Sequence, residues 1–230
     1  MIVIPEGFEP LIQIGAACAV AIGFLTALWL AVMIAAPSPS GDAAGELAEI
    51  AERPLLQIPR FAPTTVIGFV YVPVWLAIAA VLWQEAPTAG VLAAGFGLLY
   101  PPLCITAYWL QFTVVRGLAD LWQTDPTAAS AAYEVIGFHR RPTSIGSNLA
   151  VMGYTMWGLG GLAAGIGLLA IGGGAITTTA ILYLVTAAFA VAGAIGHVAR
   201  NRVLATAVMA SGITSLASTI GTAVVLYQAL

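Results

Sequence analysis

The side chains best suited to chemistry lie in the last apolar segment of the chain, where hydroxyl residues share one helical face. At 100° per residue they fall within an arc of roughly 140°. They are Ser211, Thr214, Ser215, Ser218, Thr219 and Thr222. Such a face has two interpretations. It lines a cavity or polar path for a ligand, or it lets neighbouring helices pack closely while the hydroxyls bond to backbone.

Prolines interrupt two other apolar segments near their middle, at Pro73 and at Pro101 with Pro102. Each proline removes a backbone donor, and the carbonyl that is freed needs another partner in hydrocarbon. Transporters use broken helices to build sites at the membrane midplane, whereas a simple kink only shapes a bundle. A cavity in this protein would be bordered by the hydroxyl face and these prolines.

A second polar set surrounds the connection between the third and fourth apolar segments. Its members are Arg116, Asp120, Trp122, His139, Arg140 and Arg141. Cationic and aromatic side chains at a helix end anchor that end at the membrane interface. The same side chains also suit an anionic lipid headgroup or a soluble partner. This connection is therefore the candidate partner or headgroup surface.

Other chemistries find little support in the sequence. It contains no HxxxH, Gly-x-Ser-x-Gly, acid-rich diphosphate motif or Walker-type loop, so we predict no enzyme activity. Cys18 and Cys104 lack a redox or metal spacing, and we expect neither a metal nor a cofactor. The absence of lysine excludes a retinal Schiff base. Ion-coupled transporters place charged residues within their spans, and here the acids lie near span ends or in connections.

Composition determines the elements that position these residues. Apolar residues make up 60% of the 230 positions, charged residues 7%, and the mean hydropathy is +0.99. Because a soluble domain carries roughly a quarter charged residues, this chain is typical of a membrane protein. We predict an all-α helical bundle in a single membrane domain, 1–230, with about six transmembrane helices. The expected spans are about 11–36, 64–83, 88–115, 147–171, 175–199 and 203–228.

Two connections should hold short amphipathic helices at the membrane interface, and the first covers about 42–53. Asp42 is a suitable N-cap, and Leu47 and Ile50 follow at helical spacing. The opposite, solvent-facing side is expected to carry Glu46, Glu49, Glu52 and Arg53.

The second interfacial helix covers about 126–137. Asp125 and Pro126 supply an N-cap and a first helical residue, and Gly137 a stop. We expect Tyr133 to rest on the interface.

The arginines predict the orientation of the chain in the membrane. All seven fall in odd-numbered connections: Arg53, Arg60, Arg116, Arg140, Arg141, Arg200 and Arg202. Because short loops rich in Lys and Arg stay cytoplasmic, we expect loops one, three and five to be cytoplasmic and both termini to lie outside. The lysine-free, Ala- and Gly-rich composition favours a bacterial cytoplasmic (inner) membrane. Without a basic patch, no nucleic-acid partner is expected.

The first expected span, the capped acidic segment GDAAGELAEIAERP and the second span, together about residues 11–83, resemble a family of small bacterial polytopic membrane proteins of unknown function. The resemblance rests on layout and loosely matching residues, and it implies a membrane fold without implying an activity.

Two functions of different classes remain open. The first is a non-catalytic scaffold, anchor or accessory subunit of a larger membrane complex. Its partners are the lipid bilayer and other membrane subunits, or further copies of itself, through Gly, Ala and Ser faces. The alternative is a carrier or binding protein for a lipophilic or small neutral solute.

Overall fold

The computed structural model describes residues 4–35, 42–138 and 143–230, and over these ranges it contains helices and no strands. The helices are α1 (Glu9–Ala35), α2 (Ala43–Glu52), α3 (Gln57–Leu82), α4 (Pro87–Phe112), α5 (Val114–Trp122), α6 (Pro126–Ile136), α7 (Ile145–Ile171), α8 (Gly174–Val198), α9 (Arg202–Ala205) and α10 (Ala207–Ala229). A short 3-10 turn, Pro54–Leu56, precedes α3. The all-α prediction is confirmed.

Within the described ranges, six stretches are long and apolar enough to cross a membrane. They are Glu9–Ala35, Pro54–Leu82, Pro87–Trp122, Ile145–Ile171, Gly174–Val198 and Arg202–Ala229. At 1.5 Å per residue, a helix of about 25 residues reaches about 38 Å, which exceeds the roughly 30 Å of a hydrocarbon core. The prediction of a six-span helical class is therefore confirmed.

The second and third spans differ in extent from those expected. α3 begins at Gln57, before the expected start near Thr64, and Pro63 lies inside it. Proline keeps a helical φ, although it removes one backbone donor and crowds the preceding turn, and α3 continues through Pro63. α4 ends at Phe112, where the Thr113 hydroxyl donates to the Trp109 carbonyl at 2.7 Å. Such back-bonding bends helices, and beyond this bend the chain continues as α5.

The chain forms two compact units. The first holds Gly68–Pro102, Val151–Leu230 and α1 as far as Phe24. The second holds Leu25–Ile67 and Leu103–Ala150. The first unit thus contains parts of all six spans, and the second contains the two amphipathic helices with the adjoining span ends.

Within the first unit, α4 and α7 approach closely at two glycines. A Cβ added to Gly160 would lie 2.9 Å from the Gly97 nitrogen and 3.1 Å from the Ala93 carbonyl oxygen. A Cβ added to Gly97 would overlap the indole ring of Trp75. Small residues let helix backbones come together in membranes, and here the space that they leave is filled by a tryptophan.

The turns that join the last spans depend on unusual backbone conformations. Gly172 and Gly173 have φ values of 72° and 101°, which L side chains rarely adopt, and α8 begins at the next residue. The two helices that this turn joins pack on each other: Gly158 of α7 lies against Ala190 of α8, and Gly165 lies against Leu184. The contacts on α8 run backwards along the chain as those on α7 run forwards, so the two helices are antiparallel neighbours, as the short turn predicts.

The second unit has its own apolar core, formed where α2, α5 and α6 meet. The buried members are Ala43, Leu47, Ile50, Val115, Ala119, Ala129 and Tyr133. Side chains of Asp42 and Asp125 cap α2 and α6 by accepting from Gly45 N at 2.7 Å and Ala128 N at 3.0 Å. Both short helices are present as predicted. Their apolar faces pack on each other and on α5, because α5 presents an apolar face of its own.

Candidate functional site

Charged groups are buried in the second unit, where Glu46 is 8% exposed and Arg60 is 4% exposed. The Tyr133 hydroxyl donates a 2.8 Å hydrogen bond to Oε2 of Glu46 and so joins α6 to α2. A buried carboxylate requires such partners, because its desolvation is otherwise costly. We call Glu46, Gln57, Arg60 and Tyr133 the polar cluster of the second unit.

The position of Glu46 differs from the expectation that it faces solvent. At 100° per residue, Glu46 lies about 40° from Ile50 and about 60° from Ala43, and all three side chains are buried. Glu49 and Glu52 are exposed, as expected. The angular position of Glu46 in the sequence therefore indicates burial on the apolar face, whereas its charge favours exposure to solvent.

Arg60 and Gln57 belong to the first turn of α3. The Trp29 indole donates a 3.0 Å hydrogen bond to the Arg60 carbonyl, which ties α1 to this turn. Arg60 also interacts electrostatically with Glu49 and Tyr133. Gln57 is 2% exposed, and its amide nitrogen has no hydrogen-bond partner. Tyr133 thus donates to the Glu46 carboxylate and interacts with the Arg60 guanidinium, an arrangement suited to fastening helices together.

Phe138, which directly precedes the basic residues of the third connection, is held by a hydrogen bond and by ring stacking. Gln111 is buried; its side-chain oxygen accepts from Phe138 N at 3.0 Å, and its amide nitrogen donates to the Ala107 carbonyl at 3.2 Å. The Phe138 ring stacks on Tyr108 with centroids 5.4 Å apart. The sequence showed a polar residue near a span end, but not that it binds the backbone of a connection.

The candidate partner surface is only partly visible in the structure. His139, Arg140 and Arg141 lie outside the described residues. On α5, Asp120 is exposed and Arg116 is half-buried. Trp122 is partly buried because it packs on the core of the second unit. The structure thus places three of the six predicted residues on one helix.

The hydroxyl face of α10 is packed in the first unit. Ser211, Ser218, Thr219 and Thr222 are buried, while Thr214 and Ser215 are half-buried. Every one of these hydroxyls donates to a carbonyl about one turn earlier in α10, at distances from 2.7 to 3.0 Å. Hydroxyls that already donate a hydrogen bond within their own helix do not require a ligand or a chain of water molecules as a partner.

Two of these hydroxyls also pair with tyrosines. The Tyr71 and Thr219 hydroxyl oxygens are 2.7 Å apart, and those of Tyr183 and Thr222 are likewise 2.7 Å apart. These bonds join α10 to α3 and to α8. The geometry corresponds to the helix-packing interpretation of the face.

The space beside this face is small. A cavity of about 10 Å³ lies between α3, α7, α8 and α10, which is room for about one water molecule. Its lining residues are Ile78, Val81, Leu168, Thr179, Thr222, Val225 and Leu226. Thr222 alone belongs to the predicted cavity set. Pro73 and Pro101 are not among the lining residues. Pro73 lies inside α3, and its carbonyl oxygen lies 3.2 Å from the position of a Cβ added to Gly15.

An aromatic cluster that the sequence did not predict occupies the interior of the first unit. Trp75 and Trp157 meet edge to face with centroids 5.6 Å apart, and Tyr183 stacks on Trp157 at 5.6 Å. Tyr71 and Tyr100 form an edge-to-face pair at 5.2 Å. Both tryptophans are buried, and their indole nitrogens have no hydrogen-bond partner. Perpendicular ring contacts provide N–H groups with aromatic faces as weak acceptors.

Cys18 and Cys104 are not joined in a disulfide. Across the described ranges, no group of three or more His, Cys, Asp or Glu side chains is placed to hold a metal ion.

Comparison with known proteins gives no relative: no family model, curated protein or solved structure matches the chain. The resemblance noted for residues 11–83 therefore stays a prediction, and the chain stands, on its own structure, as an all-helical protein with six candidate membrane spans.

Proposed function

We propose that this protein is a non-catalytic membrane subunit, that is, a scaffold, anchor or accessory component of a larger complex. The observation that carries the proposal is how little of α1 the rest of the chain covers. In the most apolar stretch of α1, 11% of the residues are buried, compared with 61% in the span Pro54–Leu82. A helix so weakly covered by its own chain has most of its surface available to lipid or to another protein.

The uncovered side of α1 has the features of a helix-packing face. Gln13, Ala17, Val20 and Phe24 are all exposed, and they recur at intervals of four, three and four residues. Helix pairs in membranes associate through small residues and through polar side chains that bond across the interface. Ala17 supplies the first and the Gln13 amide the second. We propose that this face packs against a helix of another subunit or of a second copy.

The packed interior gives the carrier alternative less support. The predicted hydroxyl face bonds to its own helix, and the cavity beside it holds about 10 Å³. A neutral solute of ordinary size needs a pocket of about 300 Å³ or more. A carrier would therefore have to open the bundle at the contact of Tyr71 with Thr219.

The proposal extends to location and orientation. The protein would reside in a bacterial cytoplasmic membrane, with both termini outside and loops one, three and five in the cytoplasm. The support is the one-sided distribution of arginine: the described Arg53, Arg60, Arg116, Arg200 and Arg202 all lie in odd-numbered connections or at the helix ends beside them.

The test is native purification in mild detergent, after crosslinking in the membrane, with mass spectrometry of whatever stays bound. We expect a complex larger than the monomer. The Ala17→Trp variant should lose the partner, because the larger ring separates two closely packed helices. Its matched control is Ala188→Trp, an exposed alanine on α8, which should retain the partner.

Two results would overturn the proposal. The first is a wild-type protein that remains a monomer without any crosslinked partner. The second is a partner that survives Ala17→Trp and is lost with Ala188→Trp, because the docking face would then lie elsewhere.

A further inference from the structure

An open groove lies at one end of the second and third spans, where α3 turns into α4. Its volume is about 290 Å³, and it is lined by Trp83, Pro87, Thr88, Val91 and Leu92. Four of these five side chains are apolar. Trp83, Val91 and Leu92 are all exposed, with between 47% and 59% of their surface uncovered. The groove is thus an apolar surface that this chain leaves open beside a membrane-spanning helix.

Next to the groove, α4 has a gap between its side chains at Gly95. Gly95 follows Leu92 by three residues and Val91 by four, so it continues the same face. It is exposed, and a Cβ built on it would meet nothing within 4 Å. One turn further, Leu99 is 50% exposed on the same face, and we call this exposed face of α4, from Thr88 to Leu99, the trough. From Thr88 to Leu99 the helix rises about 16 Å, which gives the trough the elongated shape of a hydrocarbon chain.

The wide end of the groove carries a negative charge. Glu85 is exposed in the turn between Trp83 and Pro87, both of which line the groove. The segment 83–92, WQEAPTAGVL, contains no basic residue. An anionic headgroup would be repelled here, whereas an ammonium group is attracted. Trp83 occupies the position, at the end of a span, where tryptophan meets the headgroup region of a bilayer.

We propose that the groove binds one phospholipid whose headgroup carries a primary ammonium, with its acyl chain along Val91 and Gly95. The chain fills the trough that the missing side chain of Gly95 leaves. The ammonium group lies near the Glu85 carboxylate, to which its three N–H donors can bond. The Trp83 ring flanks the glycerol region. The inference does not depend on the proposed subunit role, because a lone protein in a bilayer would bind the same lipid.

The test uses the full-length protein in nanodiscs that contain equal amounts of phosphatidylethanolamine and phosphatidylglycerol with identical acyl chains. After mild extraction, native mass spectrometry counts the lipids that remain bound. We expect the wild type to retain one phosphatidylethanolamine in preference to phosphatidylglycerol. Glu85→Gln should reduce that preference by about two- to fivefold, the range of an exposed ion pair, while total retention of lipid changes little.

Blocking the trough should remove the lipid of either headgroup. Gly95→Leu places a side chain where the acyl chain would lie, and the open space there leaves the fold undisturbed. Thr88→Trp blocks the opposite end and should give the same loss. The matched control is Ala188→Leu, which places the same side chain at an exposed position of α8 and should retain the lipid.

Equal retention of the two lipids by the wild type would overturn the headgroup assignment. Undiminished retention in both Gly95→Leu and Thr88→Trp would overturn the site. A wild-type dimer that Gly95→Leu dissociates would show that a second copy of the chain, instead of a lipid, occupies the groove, and this too would overturn the proposal.

Discussion

The Tyr133 hydroxyl is bonded to the Glu46 carboxylate at 2.8 Å, across 87 residues of sequence. Both side chains are buried, and the bond adds a polar contact to the apolar core that packs a helix of the first connection against a helix of the third. It is also the contact at which an exposed acid was expected and a buried one was found.

Removing the Tyr133 hydroxyl should destabilise the second unit. The Tyr133→Phe variant keeps the ring in the α2–α5–α6 core but leaves the Glu46 carboxylate with one partner fewer. A buried group that loses its hydrogen bond costs about 1–3 kcal/mol. We expect a lower midpoint of thermal unfolding in detergent and faster proteolysis within α2.

The matched control is Glu52→Gln, which alters an exposed carboxylate of the same helix and should leave both measurements unchanged. A Tyr133→Phe protein that unfolds at the wild-type temperature would show that the hydrogen bond contributes little.

Two glycines on α4 should respond oppositely to the same substitution. Gly97→Ala places a Cβ against the Trp75 ring, which is 0% exposed. Overpacking of this kind costs about 1–3 kcal/mol. Gly95→Ala, two residues away, adds a methyl group to open space and improves helix propensity. Thermal unfolding of the two variants side by side checks the prediction, and equal midpoints would contradict the packing of Trp75 on Gly97.

The size of the side chain at Ser218, and not its hydroxyl, should determine stability at that position. Its hydroxyl bonds only to the Ser215 carbonyl of the same helix, and the side chain is 0% exposed. Ser218→Ala should therefore change the free energy of unfolding by less than about 1 kcal/mol. Ser218→Leu should destabilise by about 1–3 kcal/mol, because it adds carbons at a fully buried position. Unfolding in mixed detergent micelles measures the free energy of unfolding of both variants. A Ser218→Leu variant as stable as the wild type would reveal unfilled space along α10.

The arginine pattern predicts which turns face the cell exterior. In a Cys18→Ala, Cys104→Ala background, a single thiol at the exposed Glu85→Cys should react with an impermeant maleimide in intact cells. A thiol at the exposed Asn201→Cys should react only after the membrane is permeabilised. The reverse labelling would invert the proposed orientation, and labelling of both positions in intact cells would contradict the six-span alternation.

The sequence predicts the helical class and the number of spans because these depend on composition and on local breaks. Gly172 and Gly173 mark a turn through their positive φ, and the proline at position 87 begins α4. Pro63 shows the limit of such signals. It predicts a boundary, yet the helix runs through it, although proline removes a donor from the helix interior.

The candidate sites were harder to predict because they depend on which helix faces meet. Trp75, Trp157 and Tyr183 lie on three different helices, and no spacing within one helix indicates that their rings converge. The sequence predicts Glu46 in solvent because a carboxylate on an apolar face is costly to bury. The hydrogen bond from Tyr133, which stabilises the buried carboxylate, depends on the three-dimensional fold.

The hydrogen bond between Tyr71 and Thr219 spans 148 residues, and this separation has a consequence for biogenesis. Chains are synthesised from the N-terminus, so α3 and its aromatic side chains enter the membrane long before α10 exists. Until α10 is inserted, the Tyr71 hydroxyl lacks its hydrogen bond to Thr219. The α7–α8 hairpin, joined by two glycines, can assemble from neighbouring residues at once. The last helix therefore completes the first unit, and assembly ends when the hydroxyl face of α10 has packed against α3 and α8.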